Sequence, residues 1–238
     1  MEQRAYGLPQ EVLKLIACIT MLIDHFGAAI VPELSVPYAI ELYYILRIIG
    51  RISFPIYCFL LVQGMNHTRN PYKYILRLAI GILLAELPFD YLFESGFTWE
   101  HQNVLLTLTL GAVMLRCMQK TEKKWLQPLL ILPFWLLAEH TNSSYGGWGI
   151  AMIAVFALFD QLPTQMIGLL LVNVLMDSAD IPLLGLTIPN QLFAVMAMVP
   201  VGLYSGKKIT KSKAVQWGFY LFYPIHLLVL WLILMAIR

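Results

Sequence analysis

The chain has 238 residues, of which 59% are hydrophobic and only 13% are charged. Soluble domains carry about 25% charged residues, and here a mean hydropathy of +0.71 extends along the chain rather than being confined to one anchor segment. The composition excludes an ordinary water-soluble domain and predicts a polytopic membrane protein. A net charge of +2, from 16 Lys and Arg against 14 Asp and Glu, is too balanced to predict a nucleic-acid partner.

Nine apolar stretches predict an all-α bundle of about nine transmembrane helices in one domain, residues 1–238. They are Val12–Val31, Tyr38–Met65, Tyr72–Phe93, Val104–Met118, Leu126–Ala138, Gly149–Phe159, Thr164–Met176, Ile188–Tyr204 and Ala214–Ile237. The fifth, sixth and seventh are shorter than the roughly 20 residues of a standard span. Two topologies therefore stay open: nine spans, or seven spans with the sixth and seventh stretches forming a re-entrant hairpin.

Charged residues divide the connections between the stretches into two groups. One group contains the basic residues Arg4, Lys14, Arg69, Lys73, Arg77, Arg116, Lys120, Lys123, Lys124, Lys207, Lys208, Lys211 and Lys213. The other has no Lys or Arg and contains Glu33, Glu94, Glu100, Glu139, Asp177 and Asp180. By the positive-inside rule, we predict a multi-pass plasma-membrane protein with its amino terminus in the cytoplasm and its carboxyl terminus outside.

The first stretch carries ionisable residues at membrane depth, where each is costly unless it is paired or faces a cavity. Lys14 and His25 are eleven positions apart, so a helix places them on one face about 16 Å apart. Asp24 points roughly 100° away from His25 and is expected to contact another helix. These residues favour an uncleaved span over a secretory signal peptide. The structural alternative for His25 is an interhelical hydrogen bond.

The second and third stretches each carry a pair of like charges four positions apart, Arg47 with Arg51 and Glu86 with Asp90. Each pair occupies one helix face, and we expect the two pairs to bind each other across neighbouring helices. That pairing would belong to a functional site or to an ion-pair network that closes the bundle.

The second stretch, at 28 residues, is longer than a span requires, and Gly50 and Pro55 lie within it. These residues predict a broken helix. Since broken helices at membrane depth occur inside protein or beside water, the pattern predicts a central tunnel.

Five groups of residues form a pattern along the chain: Lys14-Leu-Ile-Ala through Met21-Leu-Ile-Asp24-His25-Phe-Gly27, Gly50-Arg51-Ile-Ser-Phe54-Pro55, His67-Thr-Arg69-Asn70, Glu86-Leu-Pro88-Phe-Asp90, and Gln102-Asn103 through Thr107-Leu-Thr-Leu-Gly111. Together they resemble the TraX-type membrane proteins, a family named for the pilin acetylation protein of conjugative plasmids. The spacing of Lys14 and His25 also resembles the basic-x10-His signature of acyltransferase family 3, whose members move acyl groups across membranes.

The resemblance implies an acetyltransferase that uses cytoplasmic acetyl-CoA as its donor substrate. Lys14 would hold a CoA phosphate at the inner mouth. The pantetheine arm would bring the thioester to His25, which would act as general base or carry the acetyl group. Asp24 would pair with Arg51 or orient the acceptor.

Other candidate site residues are assigned to binding of the donor or of the acceptor. We predict that acetyl-CoA is bound by Arg47, Arg51, His67 and Arg69. Lipid headgroups are the alternative partner of His67 and Arg69. Asn103 and Thr107 are candidates for binding the thioester carbonyl or the acceptor, together with Glu86 and Asp90.

His226 follows Pro224 in the last stretch, and we interpret it as structural, bonding a carbonyl that the proline frees. His101 and His140 are predicted in outer loops without clustered Cys or carboxylate residues, so we predict no metal.

The acceptor class stays open between a pilin-like or exported peptide amine and a cell-envelope glycan. Two other functions also stay open. One is a secondary transporter or export channel with Asp24, His25, Glu86 and Asp90 as a proton relay, against which the absence of an inverted repeat counts. The other is a non-catalytic membrane assembly factor. Under every alternative the chain contacts membrane lipid.

Overall fold

The computed structural model describes residues 7–94, 96–176, 180–183, 186–210 and 212–238. Its helices are α1 Gln10–Ala29, α2 Ala39–Gly50, α3 Ser53–His67, α4 Pro71–Phe93, α5 Val104–Lys120, α6 Ile131–His140, α7 Gly146–Leu158, α8 Leu162–Leu175, α9 Met198–Gly202 and α10 Lys213–Ile237. The predicted all-α bundle is confirmed. Three of the charged residues used to predict orientation, Arg4, Asp177 and Lys211, lie outside the described residues.

Three segments in the described ranges are long and apolar enough to cross a membrane: Gln10–Glu33, Ala39–His67 and Lys213–Ile237. Large apolar side chains remain exposed on them, as Leu15 on α1 and Leu232 on α10 illustrate. Exposed apolar surface of this extent suits contact with lipid rather than water.

The predicted break in the second stretch lies between α2 and α3, at Arg51 and Ile52. The Arg51 amide donates to the carbonyls of Arg47 and Ile48, and the Ile52 amide donates to the carbonyl of Ile49. The bonds to Ile48 and Ile49 reach the third residue back, which makes a single 3₁₀-type turn. The turn keeps these amides bonded where α2 ends and α3 begins.

α3 passes through the centre of the bundle, where Ile56, Phe59 and Met65 are among its fully buried side chains. It contacts α1, α5 and α7. Its apolar residues surround it on all sides, as expected of a helix enclosed by other helices.

The middle of the chain contains helices shorter than a standard span. α7 and α8 contact each other as a pair joined by a short turn. The predicted helix Ile188–Tyr204 is wrong as a continuous α-helix: β2 (Leu186–Pro189), a 3₁₀ helix over Asn190–Ala197 and α9 cover this region. Pro189 and Pro200 lack the N–H groups that one continuous helix would use. β2 pairs antiparallel with β1 (Asp180–Leu183).

Connections that the sequence assigns to one side of the membrane contact each other. On the side with basic residues, the Leu8 amide donates to the Leu203 carbonyl at 2.7 Å, and the Gln119 side chain donates to the Met65 carbonyl at 3.2 Å. On the other side, Arg238 pairs with Glu33 at 2.7 Å. Each of these three contacts joins segments that the sequence assigns to the same side.

Candidate functional site

A cavity of about 500 Å³ extends along one face of α1, from Gln10 to Ala28. Lys14, Cys18, Met21 and His25 line it at spacings of three or four positions, which is the repeat of one helix face. Lys14 and His25 therefore share a face, as their spacing predicts. α3, α4 and α10 supply most of the opposite wall.

A second cavity of about 480 Å³, here called the vestibule, adjoins the Lys14 end of the first. Lys14, Gly64, Tyr74, Arg77 and Tyr220 are among the residues that line both cavities, so the two spaces are contiguous. The basic side chains of the vestibule are Lys14, His67, Arg77 and Lys208. Such a concentration of cationic groups suits an anionic ligand.

The loop that contributes Lys208 is fastened to α1. Both carboxylate oxygens of Glu11 accept from this loop, from the amides of Ile209 at 2.8 Å and Thr210 at 3.4 Å. Arg69 is exposed and lines neither cavity, whereas His67 lines the vestibule. The structure thus separates the two residues that the sequence assigns together to the donor.

His25 lies at the far end of the cavity from Lys14, where it meets a histidine of α10. Its Nδ1 is 2.7 Å from Nε2 of His226, and Nδ1 of His226 is 2.8 Å from the carbonyl oxygen of Phe222. In the described part of the chain, the Nε2 atom of His25 makes no hydrogen bond. Nδ1 of His25 is therefore hydrogen-bonded, and its Nε2 is left to interact with a ligand.

Asp24 points away from His25 and binds two arginines at the break between α2 and α3. Its Oδ2 is 2.7 Å from Nη1 of Arg47, and its Oδ1 is 2.6 Å from Nη2 of Arg51. Arg51 also donates to Oε1 of Gln191 at 3.3 Å. These four residues, here called the Asp24 cluster, connect α1, the α2–α3 break and the segment before α9.

Small residues allow this close contact between α1 and α2. A Cβ atom on Gly50 would lie 2.1 Å from Oδ1 of Asp24, and one on Gly27 would lie 2.8 Å from Cβ of Leu46. Real side chains do not fit at such distances, so glycine at these positions lets the helices approach and brings the carboxylate to the guanidinium groups.

The prediction that Arg47 and Arg51 pair with Glu86 and Asp90 is wrong. Both arginines bind Asp24. Glu86 instead accepts from the Asn103 amide, and Asp90 accepts from the Thr98 backbone amide at 3.2 Å. The physical reason is that the close packing of α1 on α2 brings Asp24 to both guanidinium groups.

Asn103 and Thr107 lie outside the linings of both cavities. Asn103 begins α5: its side-chain oxygen accepts from the Leu105 amide at 3.0 Å, and its nitrogen donates to the Ile82 carbonyl and to Glu86. Thr107 is fully buried against the backbone position of Gly149. Neither residue is brought to His25, and neither Glu86 nor Asp90 lines the cavity.

Sequence reasoning missed the partner role of His226 and the places of Arg77, Lys208 and Gln191. His226 does bond a carbonyl, but the carbonyl freed by Pro224 is that of Tyr220, whereas the observed bond goes to Phe222. The pairing of His226 with His25 could have been predicted from the presence of two histidines at membrane depth, because ionisable residues in a membrane usually pair with one another. Within the described ranges, no group of three or more His, Cys, Asp or Glu is arranged to hold a metal ion.

These features define a helical membrane protein with an internal cavity that joins a cationic mouth to a histidine. A family profile described as TraX protein matches residues 9–234 of the chain. The chain therefore belongs to the TraX family, a family of pilin-related membrane proteins.

Two curated relatives match over most of their length. The probable fimbrial assembly protein FimC, serogroup H1, of Dichelobacter nodosus is 31% identical over 92% of this chain and 92% of its own. Protein TraX of Escherichia coli (strain K12) is 29% identical over 93% of this chain and 85% of its own. No solved structure matches the chain significantly.

Proposed function

We propose that this protein is an integral membrane acetyltransferase, which moves an acetyl group from cytoplasmic acetyl-CoA to an amine or hydroxyl of an exported or membrane-associated acceptor. The observation that carries the proposal is the single cavity that Lys14 and His25 line from opposite ends. Membership in a family named for a pilin-acetylation protein supports it.

The vestibule would receive the nucleotide part of the donor. Lys14, Arg77 and Lys208 come from α1, α4 and the loop before α10, so their charges converge on one space. Phosphate groups bind such sites through point charges and charge-assisted hydrogen bonds. Lys14 lines both cavities, where it would hold the donor as the pantetheine arm continues toward His25.

The cavity suits the thin pantetheine arm. Its middle is lined by Cys18, Tyr57 and Leu61, and the Cys18 thiol lies 3.2 Å from the Tyr57 hydroxyl. A chain of this kind needs an apolar passage with a few polar groups rather than a wide aqueous channel. Lys14 and His25 are eleven positions apart on α1, about 16 Å, which is comparable to the length of the arm.

At His25 the free Nε2 would take the proton of the acceptor while the acceptor attacks the thioester carbonyl. A carbon–nitrogen or carbon–oxygen bond forms, the carbon–sulfur bond breaks, and the proton passes from His25 to the departing CoA sulfur. A transient acetyl-His25 would use the same nitrogen as nucleophile. In both routes the aromatic surroundings of Phe93 and Tyr223 limit water around the thioester.

The orientation follows from the same arrangement. Placing the vestibule in the cytoplasm gives the donor access to Lys14 and agrees with the positive-inside rule. The far end of the cavity, where His101 and Glu94 line the wall, then faces the outside and would admit the acceptor.

Acetyl-CoA binding to the purified protein, measured by calorimetry, tests the donor site. We expect Lys14→Ala to weaken binding about ten- to a hundredfold, the loss of one charge-assisted hydrogen bond. The control Lys124→Ala removes a lysine outside both cavities and should bind like wild type. Absence of binding to folded wild-type protein would sink the acetyltransferase proposal.

Release of the CoA thiol in the presence of peptide amines and amino sugars tests the chemical step. His25→Ala should abolish release while binding acetyl-CoA within about threefold of wild type, because its ring acts in the reaction rather than in holding the phosphates. Ion-coupled flux in liposomes that disappears in the same variant would favour the transporter instead. A loss confined to folded yield would favour the assembly factor.

A further inference from the structure

We propose that His226 is a positioning residue, which fixes the proton of His25 on Nδ1 and so keeps Nε2 of His25 free to accept a proton. This inference deepens the proposed function and rests on it for the catalytic consequence, but the tautomer itself follows from the hydrogen bonds.

The argument begins at the end of the hydrogen-bonded chain. The Phe222 carbonyl can only accept, so Nδ1 of His226, 2.8 Å away, must be the donor. A neutral His226 then has a lone pair on Nε2 and no proton there. Because that atom lies 2.7 Å from Nδ1 of His25, Nδ1 of His25 must carry the proton that joins them. One backbone carbonyl thus sets the tautomers of both rings.

The ring geometry agrees with a bond in the plane of both imidazoles. The planes are inclined by only 11°, and the ring centres are 5.0 Å apart. A face-to-face stack would bring the centres closer, whereas an edge-to-edge N–H···N bond holds each centre one ring radius behind its nitrogen. The hydrogen bond therefore controls the direction of His25 as well as its proton.

Neighbouring side chains restrict the ring further. Phe93 and Tyr223 meet His25 edge-on, with ring centres 5.4 and 6.2 Å away. Phe222 lies nearly parallel to His226 at 4.9 Å. These aromatic contacts come from α4 and α10, so rotation of either imidazole would disturb packing on two helices.

The position of Asp24 explains why the partner of His25 is a histidine rather than a carboxylate. A carboxylate is the usual partner that orients a catalytic imidazole. The neighbouring carboxylate, Asp24, has both oxygens bound by Arg47 and Arg51 and points to another helix. His226 is the polar group that the structure brings to Nδ1 of His25, and without it the proton could move to Nε2 and block the base.

Nitrogen-15 spectra of histidine-labelled protein test the tautomer directly, since the chain has five histidines. We expect the wild-type resonances of His25, assigned by their absence from His25→Ala, to show a protonated Nδ1 and an unprotonated Nε2. His226→Leu should produce a mixture of tautomers at His25, whereas the exposed control His140→Leu should leave the spectrum of His25 unchanged.

Kinetics test the consequence. His226→Leu should lower kcat for acetyl transfer about ten- to a hundredfold, the size of effect that follows loss of the orienting partner of a metal-bound histidine, while KM for acetyl-CoA stays within twofold. His226→Gln keeps an acceptor oxygen near the position of Nε2 and should recover most of the loss. A rise in KM together with a fall in kcat in both variants, or an unchanged kcat in His226→Leu, overturns the positioning role.

The two proposals fail separately. A protonated Nε2 on His25 in the wild-type protein overturns this inference even if acetyl transfer is robust. A protonated Nδ1 in a protein that binds no acetyl-CoA supports the assignment of the tautomer and overturns the proposed function instead. The wild-type spectrum decides the tautomer even where a His226 variant fails to fold.

Discussion

Asp24 and His25 are consecutive residues of one helix, yet the structure gives them opposite situations. Asp24 is 7% exposed and has both carboxylate oxygens bound by arginines. His25 has one nitrogen bonded and the other without a hydrogen bond in the described ranges. The 100° rotation between neighbours on a helix directs the Asp24 carboxylate to Arg47 and Arg51, whereas His25 meets His226 of α10, although Asp24 and His25 line the same cavity. Two adjacent ionisable residues at membrane depth therefore have different partners on different helices.

Asp24→Asn should produce the largest loss of stability. Removing the carboxylate charge leaves the guanidinium groups of Arg47 and Arg51 buried without their counter-ion, which should lower the free energy of unfolding by about 3–5 kcal/mol. Unfolding by sodium dodecyl sulfate in mixed micelles measures the change. Asp160→Asn, at an exposed turn, serves as control and should stay near wild type. An Asp24→Asn protein of normal stability but no activity would instead place Asp24 in the chemistry.

Gly50→Ala should have an intermediate effect on the same cluster. The new Cβ would lie 2.1 Å from Oδ1 of Asp24, so the carboxylate must shift, and overpacking of this kind costs about 1–3 kcal/mol. Gly218→Ala is a matched control, because a Cβ there meets no atom within 4 Å and alanine favours the helix. Both variants are compared by the same unfolding titration, and equal stabilities would mean that the α1–α2 contact is looser than described.

Arg238→Ala should have the smallest effect. The Arg238–Glu33 pair has the same 2.7 Å separation as the Arg47–Asp24 pair, but its side chains are 47% and 34% exposed. Exposed pairs contribute less than about 1 kcal/mol and weaken in salt. A double-mutant cycle with Glu33→Ala measures the coupling, and a value near that of the Asp24 cluster would show that burial is not what separates the two.

The sequence was sufficient to predict the features that depend on the geometry of a single helix. The shared face of Lys14 and His25, the divergence of Asp24 and the break near Gly50 follow from helical geometry and from residues within a few turns. The helical bundle was likewise predictable from hydropathy, because long apolar stretches have few other solutions in a membrane. The prediction of one helix over Ile188–Tyr204 was wrong because the hydropathy of this segment resembles that of a membrane span, whereas its prolines interrupt the helix.

The features that depend on which helices touch could not be derived from the geometry of single helices. The Asp24–Arg51 pair was expected only through the family resemblance, and it is present. From the residues alone both arginines were expected to bind Glu86 and Asp90, because a single sequence does not reveal that two glycines let α1 approach α2. His226 was assigned a local role because Pro224 supplied a local explanation. The three-dimensional structure is needed to show that His226 lies beside His25 and that the two imidazoles are hydrogen-bonded to each other.

The two histidines lie 201 positions apart, on α1 and α10. During synthesis α1 enters the membrane early, whereas the segment that carries His226 leaves the ribosome only after the intervening helices have been made. A growing chain therefore contains His25 and much of the cavity wall before it has the group that directs the ring. The histidine pair therefore forms only once α10 has been made, which couples any reactivity of His25 to the presence of that helix.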